Sequence, residues 1–150
     1  MLNRACLVLG LAVCAVVPAF ASDTCESMDA ADRALSSVHS WADLRGWESK
    51  YHACDDGYLA EGVTELVAST LALRWETLPQ LQAEFAESSA FRPFVLGHID
   101  ASANLDHLDA VVGHARDRCP QGYTALCESV LTAGEQALAE AHEHHSGGQQ

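Results

Sequence analysis

Basic residues are scarce in this chain. Its 150 residues include one lysine, Lys50, and eight lysines and arginines in all, against 21 aspartates and glutamates, for a formal net charge of −13 at pH 7. Proteins that bind a nucleic-acid backbone carry clustered lysines and arginines. The composition therefore excludes nucleic acids as partners and disfavours anionic membranes, whereas a basic protein would be attracted to such a surface.

Familiar catalytic and ligand-binding motifs are also absent. The sequence has no Gly-x-Ser-x-Gly, His-Glu-x-x-His, P-loop or Cys-x-x-Cys motif, and no EF-hand loop. Each of these motifs places reactive groups at a spacing that its chemistry requires. Their absence favours a protein that is not an enzyme, although it leaves an unfamiliar enzyme open.

Residues 1–21 have the pattern of a secretory signal peptide. Arg4 supplies the positive charge, residues 7–17 form an apolar stretch, and Ala19 and Ala21 are small residues at the positions that a signal peptidase recognises. The stretch is shorter than the roughly 20 residues that span a bilayer, and no later segment replaces it, so we expect no membrane insertion. A lipoprotein signal ending at Cys14 is the alternative, but Val13 is bulky where a small residue is preferred.

Cleavage after Ala21 would leave a periplasmic or secreted chain with a helical domain over residues 22–145 and a disordered tail over residues 146–150. It removes one arginine and no acidic residue, so the formal charge becomes −14. About 130 residues is a common size for a single domain.

Four cysteines remain after cleavage: Cys25, Cys54, Cys119 and Cys127. An even number in an oxidising compartment predicts two structural disulfides, and the spacings match no common zinc site. Four cysteines allow three pairings. The helix pattern favours Cys25 with Cys54 and Cys119 with Cys127, because the last two face each other across a short turn at Pro120.

Apolar residues recur at helical spacing through most of the exported chain, and no stretch alternates with a period of two. The pattern therefore predicts an all-α fold, a single-domain bundle of about six or seven short helices braced by two disulfides. Gly134 is expected to allow close approach of a neighbouring helix. Ser27 and Ser40 are predicted to cap the first two helices. The predicted helices run from Ser27 to Ser37, Trp41 to Ala53, Tyr58 to Trp75, over a short segment after Thr77, from Ser88 or Ser89 to Asp100, Leu105 to Cys119, and from Tyr123 onward.

Histidines are the best candidates for a specific chemistry. His142, His144 and His145 crowd the end of the last helix and could hold zinc, nickel or copper, with a polar helix terminus as the alternative. No other cofactor is expected. His98 lies on the apolar side of its helix and is interpreted as a hydrogen-bonded core residue or, with Asp100, as the centre of an unrecognised enzyme. His107 and His114, seven residues apart, are expected to be solvated or to face a partner.

Two further groups have structural interpretations beside functional ones. Asp55, Asp56 and Gly57 form a turn between helices with an N-capping aspartate, although adjacent aspartates also suggest calcium. The aromatic residues of the first half are expected to anchor the core, with an exposed Trp or Tyr at a protein interface as the alternative. These residues are Trp41, Trp47, Tyr51, Tyr58 and Trp75.

The segment Cys54–Gly62, the segment Phe94–Asp100 and the later Cys119-Pro120 resemble a group of uncharacterised exported bacterial proteins. In overall plan the chain is similar to the periplasmic immunity proteins that neutralise amidase effectors of type VI secretion. The second resemblance rests on a signal peptide, a short helical chain, cysteines and acidity. It implies a periplasmic protein that binds a basic protein partner and inhibits a cell-wall-targeting toxin, with no inhibitory residue identified.

Overall fold

The computed structural model describes residues 24–147. The predicted all-α bundle is confirmed, because this part of the chain forms seven α-helices and contains no strand. The predicted signal peptide, residues 1–21, lies outside the described residues, as do residues 148–150 of the predicted tail. The helices are α1 (Met28–Leu35), α2 (Trp41–Tyr51), α3 (Gly57–Leu73), α4 (Leu78–Glu87), α5 (Phe91–Gly97), α6 (Leu105–Asp117) and α7 (Thr124–Gly147).

The first two helices begin at the predicted caps. The Ser27 hydroxyl accepts a hydrogen bond from the Ala30 amide, and the Ser40 hydroxyl accepts one from the Asp43 amide. Such bonds satisfy amides at the helix start that have no partner within the helix. The predicted helix ends lie two or three residues beyond the observed ones. For example, α2 gives way to a 3₁₀ turn at His52–Cys54, and a second 3₁₀ turn separates α3 from α4.

Helix α3 provides one complete side of the core. Leu59, Val63, Val67 and Leu71 are all within 1% of full burial. Their spacing of four residues places them on one side of the helix. Helices α1 and α6 both contact α3. The opposite side of α3 therefore remains available for contacts at the surface.

Three tryptophans join elements that are distant in sequence. The Trp47 indole N–H donates to the Ala31 carbonyl at 2.8 Å, that of Trp41 to the Thr77 hydroxyl at 2.9 Å, and that of Trp75 to the Arg118 carbonyl at 2.9 Å. All three rings are buried, as the interpretation of core anchors predicts. Each one combines apolar burial with a satisfied N–H group.

Helices α6 and α7 form an antiparallel hairpin. The Cys119–Cys127 disulfide closes its loop, and the Arg116 guanidinium lies 2.7 Å from the Glu135 carboxylate farther along it. Gly134 permits the close approach that the sequence predicts, since a Cβ atom there would lie 2.8 Å from a methyl group of Val112.

The second disulfide joins Cys25, just before α1, to Cys54 at the end of the first 3₁₀ turn. Both predicted pairings are thus confirmed. Because Cys54 directly precedes Asp55, this bond anchors the corner from which α3 begins.

Candidate functional site

The corner before α3 places a carboxylate against the core. Asp56 caps α3 by accepting the Gly57 amide, and Gly57 has a φ of +54°, a conformation that a residue with a Cβ atom adopts at a cost. The predicted N-capping aspartate is therefore confirmed. Asp55, one residue before this cap, contacts the C-cap residue of α5.

The Asp55 carboxylate contacts the imidazole ring of His98. His98 is the C-cap of α5 and only 8% exposed. Its Nε2 atom lies 2.9 Å from Asp55 Oδ2, and its Nδ1 atom lies 2.9 Å from the hydroxyl of Thr64 on α3. The interpretation of His98 as a hydrogen-bonded core histidine is confirmed.

Asp100 completes the chain of polar contacts. Its Oδ2 atom accepts the Thr64 hydroxyl at 2.8 Å, and its Oδ1 atom accepts both the amide and the hydroxyl of Ser102 at 2.7 Å. Burial acts to raise the pKa of Asp100, but the bonds from Ser102 and Thr64 and the nearby His98 outweigh it, so the pKa lies below its usual value. Asp100 is therefore an ionised acceptor at neutral pH.

We call Asp55, His98, Thr64 and Asp100 the buried network. A carboxylate, an imidazole and a hydroxyl occur in it in the order found in nucleophilic triads. Thr64, however, is only 1% exposed and gives its hydroxyl hydrogen to Asp100. Its oxygen is out of reach of a substrate in this conformation, and the network joins three segments of chain.

A second polar contact lies one residue farther along α3. Glu65 Oε2 accepts the Asn104 amide at 3.1 Å, and Glu65 Oε1 lies 2.8 Å from Nδ1 of His107. With Thr64 holding Asp100, neighbouring residues of α3 thus fasten the α5–α6 loop at both ends. His107 is half-buried beside α3, rather than solvated or facing a partner as expected.

His114 also differs from its prediction. Its Nε2 atom lies 3.0 Å from the Ala72 carbonyl, and its ring lies 5.6 Å from that of Trp75. Spacing along α6 could not reveal this, because the contacting groups belong to the end of α3 and to the 3₁₀ turn that follows it. His114 is part of the packing between these helices.

One side of α3 is acidic and carries an exposed aromatic ring. Tyr58 is 56% exposed, and Glu61 and Glu65 follow it at intervals of three and four residues, so the three share one side of α3. Asp106 lies between Asn104 and His107, the two residues that contact Glu65, and it is exposed as well. We call Tyr58, Glu61, Glu65 and Asp106 the α3 face.

The predicted metal ligands lie far from this face along the chain. His142 and His144 are exposed near the end of α7, and the side chain of His145 lies outside what the structure describes. No group of three histidine, cysteine, aspartate or glutamate residues in the described part of the chain is placed to hold a metal ion. The proposed use of this cluster for a transition metal stays a prediction.

Sequence reasoning singled out His98 and Asp100 but missed the roles of Thr64 and Asp55. Thr64 lies next to Val63 in the most apolar helix, and a hydroxyl at such a position needs a buried partner. A hydroxyl within this apolar helix was therefore the one feature of the sequence that indicated a buried polar partner for Thr64. Asp55 offered none, because its partner is 43 residues away.

No helix among residues 24–147 is long and apolar enough to cross a membrane. No protein-family model, curated protein or solved structure matches this chain.

Proposed function

We propose that this protein acts outside the cytoplasm by binding a basic protein through the α3 face. In its more specific version, the proposal is that the protein is an immunity-type inhibitor of a cell-wall-targeting toxin in the periplasm. The observation that carries the proposal is Tyr58, a large aromatic side chain exposed beside Glu61 and Glu65. Aromatic residues in this setting are common centres of protein interfaces.

Rigidity supports this assignment. The opposite side of α3 is fully buried, the Cys25–Cys54 bond holds the corner before it, and Glu65 and Thr64 fasten the neighbouring loop. A preorganised surface loses little conformational entropy when a partner binds. Two disulfides are also typical of proteins in oxidising compartments.

Inhibition would occur by occlusion. The Tyr58 ring would enter a recess at the rim of the partner's active-site cleft, while Glu61, Glu65 and Asp106 pair with basic side chains around it. The overall negative charge of the chain would speed the encounter at low salt. Because the contacts cover the cleft, no chemistry is required of this protein.

The test replaces Tyr58 with a photo-crosslinking phenylalanine analogue in the exported protein. Leu73, 71% exposed at the other end of α3, carries the same analogue in the control variant. We expect a basic envelope or secreted protein to be crosslinked from position 58 and not from position 73. Equal crosslinking at both positions, or an acidic partner, would contradict the proposal.

The role of the acidic residues on the α3 face is tested by measuring the rate at which the protein associates with the captured partner. Glu61→Gln with Asp106→Asn should lower the association rate several-fold more than Glu128→Gln with Glu143→Gln, which removes the same charge from exposed positions on α7. The partner should also cleave peptidoglycan and lose that activity when the wild-type protein is added. A partner whose activity is unaffected would rule out the inhibitor form while leaving binding intact.

A further inference from the structure

Glu48 interrupts the apolar side of α2. Trp41, Leu44 and Trp47 are buried in the core, and Glu48 follows Leu44 by four residues, so it falls on the same side of the helix. It is buried to a similar degree, with only 8% of its surface exposed. Glutamates are almost never this buried unless they are paired. The position of Glu48 therefore requires a partner for its carboxylate.

The described part of the chain supplies no such partner. The Glu48 carboxylate makes no hydrogen bond and no ion pair with any residue that the structure describes. Arg45, three residues earlier, attracts it electrostatically, but the Arg45 guanidinium donates its hydrogen bond to Glu84 on α4. A buried carboxylate without a hydrogen bond is unfavourable. What Glu48 lacks is a donor.

Glu48 lines a recess between α2 and the end of α4. The recess is open to solvent and has a volume of about 480 Å³. Ligand pockets in proteins measure roughly 300–1,000 Å³, so the recess is large enough for a small molecule or a long side chain. Its wall on α2 also carries Ser49, and its opposite wall carries Glu87 and Ser88. Carboxylate and hydroxyl oxygens thus face the recess from two elements.

Negative charge is in excess around the recess. The Arg45 guanidinium interacts with three carboxylates but is hydrogen-bonded to one of them, that of Glu84. The other two, Glu48 and Glu87, form no ion pair with a described residue. Lys50, the one lysine of the chain, lies over the ring of Tyr51, 5.0 Å from its centroid. The recess therefore attracts a cation and repels an anion.

We propose that this recess binds a primary ammonium group on a short alkyl chain, which donates hydrogen bonds to Glu48 and Glu87. An ammonium group has three donors and no acceptor, so it suits oxygens that face it from different sides. A guanidinium presents a planar fork that matches a single carboxylate instead. A metal ion fits less well, because no three histidine, cysteine, aspartate or glutamate residues of the described chain are placed to hold one.

This chemistry has two sources, a free amine and the side chain of a lysine in another protein. The recess belongs to α2 and the end of α4, whereas the α3 face belongs to α3 and α6. The inference therefore goes beyond the proposed function and does not require its partner.

The first test titrates the oxidised protein with cadaverine, an alkyl diamine, at constant ionic strength. NMR signals of the Glu48 carboxyl and of the Ser49 and Ser88 amides should shift and reach saturation, whereas the exposed Glu143 on α7 should shift much less. The diol of the same chain length has no charge and should leave all these signals unchanged. Saturable shifts with a lysine blocked at both backbone ends would identify a protein side chain as a source, and shifts with cadaverine alone would identify a free amine.

Glu48→Gln is the decisive variant. The amide keeps the shape of the side chain and removes its charge, so the affinity for cadaverine should fall by about tenfold or more, as expected for the loss of a charge-assisted hydrogen bond. Glu143→Gln removes the same charge from an exposed position and should change the affinity by less than about twofold. The pair separates the recess from the general acidity of the protein.

Stability provides a second measurement on the same variants. Because the buried carboxylate of Glu48 has no partner, Glu48→Gln should unfold at a higher urea concentration than the wild type when no amine is present. Cadaverine should then stabilise the wild type, since a ligand that binds only the folded state opposes unfolding. It should not stabilise Glu48→Gln.

Two results would overturn the inference. One is equal affinity of Glu48→Gln and Glu143→Gln for cadaverine, which would show only the attraction of amines to an acidic protein. The other is the absence of shifts at Ser49 and Ser88 with either amine, which would show that the recess holds water alone. Crosslinking from position 58 does not involve the recess, so failure of this inference and failure of the proposed function are distinguishable.

Discussion

The packing of α7 against α6 leads to a quantitative prediction at Gly134. An added Cβ atom would lie 2.8 Å from Val112 Cγ2, a distance at which one of the two groups must move. Val112 is a β-branched residue within a helix, so its side chain has essentially one rotamer and cannot turn away freely. Replacing a helical glycine by alanine gains about 1 kcal/mol of helix propensity, whereas overpacking a core costs about 1–3 kcal/mol. Gly134→Ala should therefore be destabilising by up to about 2 kcal/mol.

Gly113 on the facing helix α6 provides the control. A Cβ atom there meets nothing within 4 Å, so Gly113→Ala gains the same helix propensity without the overlap. We expect this variant to be more stable than the wild type by up to about 1 kcal/mol. The difference between the two variants then isolates the contact with Val112.

The assay is urea unfolding followed by far-UV circular dichroism, with both disulfides intact. Adding Val112→Ala to Gly134→Ala removes the overlapping methyl groups, so the two changes together should destabilise less than the sum of the separate effects. Equal stabilities for Gly134→Ala and Gly113→Ala would refute the reasoning, because they would show that α7 can move away from α6 at no cost.

Three further predictions concern the disulfides, the buried network and the tryptophans. Replacing both Cys25 and Cys54 by serine should lower the free energy of unfolding by about 3.5 kcal/mol. The same change at Cys119 and Cys127 should lower it by about 2.5 kcal/mol, because that disulfide closes a shorter loop. The same urea assay measures both, and a larger loss at the shorter loop would contradict the loop-entropy argument. The low pKa of Asp100 stabilises the folded state above its unfolded pKa near 3.8, and this stability is lost as the pH falls through the lower folded pKa. Ser102→Ala removes one hydrogen-bond donor to Asp100, so carboxyl NMR should show the pKa of Asp100 moving upward toward its usual value. An unchanged pKa would show that the Ser102 hydroxyl has no role. Trp47→Phe leaves the Ala31 carbonyl without its indole donor and should lower the free energy of unfolding by about 1–3 kcal/mol, with a change below about 0.5 kcal/mol counting against the bond.

Much of the fold follows from short-range patterns. Ser27 and Ser40 cap the first two helices because a side-chain oxygen three residues before an amide has the correct reach, whatever the rest of the chain does. The pairing of Cys119 with Cys127 depends on two helix ends separated by a short turn. Such features involve neighbours in sequence, so the sequence predicts them.

The contacts of the histidines show where this reasoning fails. The spacing along α6 predicts that His114 is solvated or faces a partner, yet the groups it contacts, Ala72 and Trp75, lie about 40 residues earlier in this chain. Helical spacing indicates which side of a helix is apolar, but it does not indicate which other helix covers that side. Only the packing of α3 against α6 decides this.

The sequence by itself determined an acidic, all-α domain and favoured its two disulfide pairings, because charge, helical periodicity and the number and spacing of cysteines can be read from the chain without knowing its tertiary contacts. Only the tertiary structure decided that Asp55, Thr64, His98 and Asp100 form one buried network and that Tyr58 remains exposed on α3. The physical reason is that a buried polar group must find a partner wherever the fold brings one. For His98, those partners lie 34 and 43 residues away in the sequence.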